Sequence, residues 1–346
     1  MPRATNASNV RDMESPDDLQ PGRLVRLSPR VQRVVAPNAS LMTGPGTNSY
    51  VLGNPAVAVL DPGPDDPPHL ASLRAAAPRL HFVFVTHTHR DHSCGARALA
   101  DATGARIVGL PPPSDGLQDM SCVPSIEARH DRVFELSGRD PEAGDAGAAG
   151  HAIQSPDLTR LRAIHTPGHA SNHVCFLLEE EGLLFSGDHV LDGVTPVILP
   201  PDGDMAAYLH SLDLLKSYRP RAIAPGHGRV LEEPLRVIDG IVAHRARREA
   251  KVLAVLGAMG PGEIDVLLPK VYDDVRAELL PIARYSLEAH LIKLEREGRA
   301  ARNRDVWSLR ERAVHSAGAV AGTGVGARAE GRAAEGSTAG EQAGPE

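Results

Sequence analysis

Three imidazoles and a carboxylate fall within one short run of this chain, Thr86-His87-Thr88-His89-Arg90-Asp91-His92. No other stretch constrains the fold as strongly. The run follows His81-Phe82-Val83-Phe84-Val85, an apolar segment of strand type, and precedes Ser93-Cys94-Gly95-Ala96, which reads as a helix start capped by Ser93. The pattern predicts a ligand cluster on a loop between a buried strand and a helix. Borderline divalent ions, zinc above all, favour neutral imidazole and carboxylate donors. From such a loop His87 and His89 turn one way and Asp91 and His92 the other, which serves two ions rather than one.

Three later segments offer further donors: His165-Thr166-Pro167-Gly168-His169-Ala170, Phe185-Ser186-Gly187-Asp188-His189 and Ala224-Pro225-Gly226-His227-Gly228. Each follows a predicted strand, and in each a glycine beside the donor lets the backbone turn tightly. Loops at strand ends that converge on one edge of a packed sheet are a common way to build a site. Two more histidines are candidates for supporting roles, with plain packing as the alternative. His189 is placed to hold a ligand carboxylate, and His173 to contact substrate. Cys94 reads as a helix-packing residue.

A chain of 346 residues suffices for one large domain and a small one. Its net charge of −7 gives no sign of general nucleic-acid affinity. Cys94, Cys122 and Cys175 form neither a disulfide framework nor a Cys-x-x-Cys site. With no secretory h-region and no apolar stretch long enough for a bilayer, the expected setting is the reducing cytoplasm, away from membranes.

Along the chain, 1–20 is polar and aperiodic and reads as a disordered tail. Leu24 to Val35 alternates like one exposed strand. Asn48 to Leu52 and Ala56 to Leu60 are strands, the second ending at Asp61, which reads as a turn start. Arg106 to Leu110 is a strand, and Asp131 to Leu136 an edge strand. Residues 138–160 are Gly/Ala/Asp-rich and read as a surface insertion. Leu161 to His165, Val174 to Leu178, Leu183 to Phe185 and Ala222 to Ala224 are strands. Asp204 to Ser217 and Pro234 to Leu256 are helices, and 257–262 is a breaker-rich hinge. Ile264 to Tyr272 and Pro281 to Glu297 are amphipathic helices, Gly298 stops the second, and Asp305 to Leu309 is a strand. Helix, helix, turn, strand resembles a winged helix. Residues 313–346 are an Ala/Gly-rich tail of low complexity. The domains expected are therefore 21–249 and 250–312, between tails at 1–20 and 313–346.

The Thr86–His92 run, with its later partners, resembles the signature of the metallo-β-lactamase superfamily, over most of the chain. Gly46-Thr47-Asn48-Ser49-Tyr50, Leu178 to Gly182, Tyr208 to Leu215 and His290 to Gly298 point to the β-lactamase-like protein 2 branch. The resemblance implies an α/β fold, a four-layer αββα sandwich, with a small C-terminal winged helix. It also implies a ligand set: His87, His89 and His169 for one ion, Asp91, His92 and His227 for a second, and Asp188 between them. Asp61 would support the run from beneath. The implied cofactors are two zinc ions, with manganese or iron as alternatives. Such a pair lowers the pKa of bound water and polarises a substrate oxygen, so the implied activity is hydrolysis by a bridging hydroxide, with Asp91 and Asp188 as catalytic groups.

The substrate is a separate question, because a fold does not set it. The branch includes thioesterases and a single-strand endoribonuclease. A thioester or related small acyl ester is the first reading, in keeping with the acidic balance. Single-stranded RNA is the second; it calls for a basic groove with stacking aromatics, and only 3% of residues are aromatic. The third is a nucleic-acid-binding regulator working through the winged helix. Its second helix mixes Arg284, Lys293 and Arg296 with Glu288, Glu295 and Glu297, a pattern more typical of a solvated face, a domain contact or a homodimer contact.

Overall fold

The computed structural model describes residues 16–137 and 158–310. The two predicted tails, apart from 16–20, and nearly all of the 138–160 insertion lie outside the described residues. Within the expected N-terminal tail, Pro16–Leu19 forms a 3-10 turn. Its Asp18 carbonyl accepts a hydrogen bond from the buried Arg33 (3.0 Å), so the ordered chain begins earlier than position 21.

The first sheet contains β1 (Leu24–Arg26), β2 (Val31–Val35), β3 (Asn48–Gly53), β4 (Ala56–Leu60), β5 (Phe82–Phe84), β6 (Arg106–Gly109) and β7 (Ile126–Glu127), hydrogen-bonded in that order. Helices α1 (Pro67–Ala76) and α2 (Arg90–Thr103) fall between its strands. The second sheet runs β12 (Ala222–Pro225), β11 (Leu183–Gly187), β10 (Val174–Leu178), β9 (Thr159–His165), β8 (Val133–Leu136). Helices α3 (Met205–Ser217) and α4 (Pro234–Met259) accompany it.

The side-chain period of two distributes these strands into layers. Tyr50, Leu52, Phe82 and Phe84 face the space between the sheets, where they meet Phe176, Leu178, Leu183 and Phe185. Val51, Val59, Val83 and Val85 face the other way, onto Leu70 and Leu73 of α1 and Leu99 of α2. On the far side Cys175, Leu177, Leu184 and Ile223 meet Tyr208, Leu212 and Leu215 of α3 and Ile238 and Ile241 of α4. The result is helix, sheet, sheet, helix. Strands covered on both faces read as continuous apolar runs, which is why β5 and β10 carry no polar alternation.

Several expectations need correction. Leu24 to Val35 is a hairpin, because Ser28-Pro29-Arg30 turns the chain, and β2 is mostly buried rather than exposed. Helix α2 begins at Arg90 with His89 as its N-cap, so Asp91 and His92 occupy its first turn instead of a loop. Ser93 lies inside the helix and donates to the His89 carbonyl (3.1 Å) and to Asp119 (3.0 Å). Helix α1 has no clear apolar periodicity to announce it in the sequence. Asp66 caps it through the His69 amide (2.8 Å), and prolines fill its first positions, where a missing N–H costs nothing.

Helix α4 runs unbroken through the expected 249/250 boundary and through the first half of the expected hinge, ending at Gly260. Its first half packs on α3, while Val252 and Leu256 pack on α5 (Ile264–Val271) and α6 (Leu280–Arg296). The described C-terminal sheet has three strands, β13 (Gly262–Glu263), β15 (Val306–Leu309) and β14 (Ala300–Asn303), where the sequence had suggested one. Ala-Ala-Arg-Asn of β14 lacks the branched and aromatic residues that announce a strand.

The site lies where the two sheets meet at their strand ends. Asn48 at the start of β3 donates through Nδ2 to the carbonyls of Pro225 and Gly228 (2.9 Å each). The Tyr50 hydroxyl also donates to Pro225 (2.7 Å). The Val174 amide donates to the Thr86 carbonyl (2.7 Å), and the Gly226 amide to the Gly187 carbonyl (2.8 Å). Loops far apart in sequence are thus hydrogen-bonded into one floor.

Candidate metal centre

All seven candidate ligands come together, in two groups: His87, His89 and His169, and Asp91, His92, Asp188 and His227. In the first, His89 Nδ1 lies 2.9 Å from His87 Nε2 and 3.0 Å from His169 Nε2. In the second, His92 Nε2, His227 Nε2 and Asp188 Oδ1 are 3.3 Å from one another, and Asp91 Oδ2 is 3.3 Å from His227 and 3.6 Å from His92. A tetrahedron with ligand bonds of about 2.0–2.1 Å has edges of about 3.3 Å, so the second group's spacings suit a small divalent cation, while the first group's are somewhat shorter. Asp188 faces both groups: Oδ1 points to His92 and His227, and Oδ2 lies 3.7 Å from His169.

Acceptors around the site determine which ring nitrogen of each histidine is free. His169 Nδ1 donates to the Val197 carbonyl (2.8 Å), and His227 Nδ1 to the Gly46 carbonyl (3.1 Å). His92 Nδ1 donates to Asp61 Oδ2 (3.0 Å). Thr86 Oγ1 gives its proton to Asp61 Oδ2 (2.9 Å) and therefore accepts from His87 Nδ1 (3.0 Å). Each of these four rings consequently turns Nε2 inward, the arrangement that orients metal-binding histidines; on His87 and His169, whose pKa burial lowers, it carries a free lone pair. His89 Nδ1 meets two such lone pairs and carries one proton at most, so it leaves at least one unsatisfied. A cation would satisfy the whole group.

Asp61 is therefore a support for the run and not only a turn residue. It also accepts from the Thr86 amide (2.8 Å) and holds a left-handed backbone, φ 50°. Gly187, with φ 47°, allows close approach: a Cβ there would stand 2.6 Å from Thr86 Oγ1 and 2.7 Å from His173 Nε2.

The two groups differ in charge. Burial, then the neighbouring imidazoles, pulls His87 well below the usual histidine range. Burial and His169 bring His89 down to about 4. Burial also lowers His169, with Asp188 opposing. This half is neutral. In the other half burial pulls His227 and His92 down, but the carboxylates prevail. Asp188 and the bonds to Asp188 and Asp91 push His227 up to about 9, and Asp188, Asp91 and Asp61 push His92 well above the normal range. Burial opposes ionisation of Asp188, yet His227 and His92 hold it well below the carboxylate range. Without a cation this half keeps protons where an ion would sit, so metal uptake must release them.

His173 and His189 do not fill the roles expected of them. His173 is fully buried, 5.0 Å from the His87 ring, and bonds Thr166 Oγ1 (2.9 Å), which leaves it out of reach of substrate. His189 is also buried, its ring 4.6 Å from that of Tyr208, and neither of its nitrogens meets a hydrogen-bond partner. Neither ring holds a ligand carboxylate. Cys94 is half-buried on α2, where burial and Asp119 push its thiol up, in keeping with a packing role. The carbonyls of Gly46 and Val197 were not anticipated, since a backbone acceptor has no signature in sequence.

Residues 42–227 match the family model described as the metallo-beta-lactamase superfamily, and 264–307 match the beta-lactamase associated winged helix domain. The beta-lactamase-like protein 2 homolog of Drosophila melanogaster is 32% identical, over 80% of this chain and 91% of that one. An atrochrysone carboxyl ACP thioesterase of Aspergillus terreus is 32% identical over 72% of each. Among solved structures, a metallo-beta-lactamase family protein from Thermus thermophilus superposes with a TM-score of 0.64 at 21% identity, over 82% of this chain and all of that one.

Proposed function

This chain belongs to the metallo-β-lactamase superfamily and is a metal-dependent hydrolase, and from that premise we propose a two-zinc enzyme acting on a thioester or related small acyl ester. The observation that carries the reading is the convergence of two donor groups that share Asp188. His87, His89 and His169 would hold one ion, Asp91, His92 and His227 the other, with Asp188 touching both. Two divalent cations supply a water activated near neutral pH and a polarised substrate oxygen.

The chain's own residues contribute orientation and proton handling. Asp61, Thr86, Val197 and Gly46 aim the imidazoles. Asp91, the most exposed of the four groups in its half, is kept ionised by His92 and His227 against the opposing effect of burial, and its carboxylate is placed to take the proton that an attacking water loses. With both ions bound, His92 and His227 would have released their protons, so the one proton the site would hold for a leaving group is the one Asp91 takes from water. A thiolate leaves without one, its conjugate acid having a pKa of about 8.5, whereas an alkoxide does not. Thioester cleavage therefore suits this chemistry, and the name of the Aspergillus relative supports the same class. RNA is less well served: among the described residues Tyr285, on α6, is the one exposed aromatic side chain. Three unpaired cysteines fit a reducing cytoplasm, and no helix of the described residues is long and apolar enough to cross a membrane.

The test is metal analysis of the purified protein beside a panel of thioesters, lactones, phosphodiesters and RNA. Thioester turnover is expected, and Asp188→Ala should reduce it by more than the about 10- to 100-fold typical of losing an outer contact to a metal ligand. Cleavage confined to RNA, or an Asp188→Ala protein as active as the wild type, would overturn the reading.

A further inference from the structure

Helix α4 passes one charged side chain into the interior directly behind His169. Arg245 is 3% exposed. Its Nη2 donates to the Pro196 carbonyl, and the next residue, Val197, supplies the carbonyl that holds His169 Nδ1 at 2.8 Å. The guanidinium also lies over the Tyr208 ring, 5.5 Å from its centroid. Tyr208 in turn donates its hydroxyl to the His189 carbonyl (2.9 Å), one residue beyond Asp188. Its backbone lies so close to Gly168 that a Cβ there would stand 2.3 Å from the Tyr208 Cα. Arg245 thus touches both segments that place His169 and Asp188, without reaching either side chain.

The winged-helix segment braces the same region from outside. Arg296 of α6 pairs with Asp204, the N-cap of α3, whose amide donates to the Gly168 carbonyl (2.8 Å). Lys293 pairs with Glu249 of α4 (2.6 Å), and Arg284 with Asp265 of α5 (2.8 Å). The three cations of α6 in these pairs, Arg284, Lys293 and Arg296, are engaged within the chain.

We propose that Arg245 is a positioning residue that fixes His169 through the Pro196–Val197 carbonyls and Tyr208, and that the C-terminal helices serve the metal centre as its brace. Resting on the ligand assignment above, the inference concerns the His87/His89/His169 half first, because Arg245 reaches His169 through both Pro196–Val197 and Tyr208 and Asp188 through Tyr208 alone. An arginine suits the position because its planar fork donates and stacks at once, which a lysine cannot do.

The experiment is titration of full-length, metal-stripped protein with cobalt(II) and zinc(II), read by visible absorption and chelator competition, for wild type, Arg245→Met, Arg245→Lys, Arg296→Ala and His169→Ala. Wild type should bind two ions. Arg245→Met should weaken one of them about 10- to 100-fold, the usual effect of losing an outer support. That ion should be the one His169→Ala removes, and its cobalt spectrum should change. Arg245→Lys should recover part of the loss, and Arg296→Ala should weaken the same ion less. Two ions bound by Arg245→Met with wild-type affinity and spectrum, or equal weakening of both, would overturn the inference. If Arg245→Met does not fold, Arg245→Lys and Arg296→Ala carry the test on the same criteria. Failure of wild type to bind metal would instead sink the ligand assignment.

Discussion

The two halves of the centre share one seven-residue run and nevertheless solve opposite electrostatic problems. His87, His89 and His169 form a neutral nest, kept so by burial and mutual repulsion. Asp91, His92, Asp188 and His227 form a charged quartet whose carboxylates and imidazoles stabilise one another. The contrast teaches that a ligand's protonation is set by its neighbours and not by its type. His89 and His92 are three residues apart, yet the first is driven to about 4 and the second well above the ordinary range. The nest therefore lacks a positive charge when stripped, whereas the quartet carries its own.

The largest effect should come from removing what the halves share beneath them. Asp61 touches Thr86 twice and His92 once, so it supports His87 through Thr86 and His92 directly. Asp61→Ala should weaken both ions, by about 10- to 100-fold each, measured by chelator competition; weakening of one alone would show that the halves are supported separately. Next comes a change aimed at the quartet. A Cβ at Gly226 would stand 2.6 Å from Asp188 Oδ1 and 2.7 Å from His92 Cε1. Gly226→Ala should cost about 1–3 kcal/mol of stability as overpacking, with the quartet's ion weakened more than the nest's, as thermal melts and metal titration would record.

Acid and base should separate the halves in the stripped protein. His227 rises to about 9 when folded, so its contribution is complete below about 6.5 and lost as pH climbs through 9. His89 falls to about 4, so the unfolded chain takes up its proton first and stability drops as pH descends from about 6.5 through 4. His227→Ala should flatten the alkaline limb of a Tm-against-pH curve, and His89→Ala the acid limb; exchange of the two effects would refute the contrast. The smallest effect belongs to the exposed pair Arg97–Asp101 on α2, the helix whose first turn carries Asp91 and His92. Arg97→Ala should change stability by no more than about 0.5 kcal/mol and metal affinity not at all.

Much of the centre was legible in the chain because its donors are side chains of distinctive type. A His-x-His-x-Asp-His run and three glycine-flanked donors announce themselves, and strands covered on both faces appear as apolar runs. What escaped was of another kind. Helix α2 starts at Arg90 because the polar run itself supplies the first turn, which a Ser-cap rule reads four residues late. The hairpin at Leu24–Val35 was hidden because an alternating pattern does not reveal where a turn divides it. Arg245 is one of several basic residues on a long helix, beside Arg247 and Arg248; only the fold places it beneath Pro196.

By itself the sequence determined the chemistry on offer: which atoms could bind a cation, how tightly the backbone could turn beside them, and which segments had to be buried. Tertiary structure alone decided which nitrogen of each imidazole faces inward, which half is neutral and which charged, and what stands behind His169. Those outcomes depend on carbonyls, carboxylates and burial brought from distant positions, such as Gly46 against His227 and Val197 against His169. Electrostatic energy is a function of distance in space, and separation along the chain carries no measure of it.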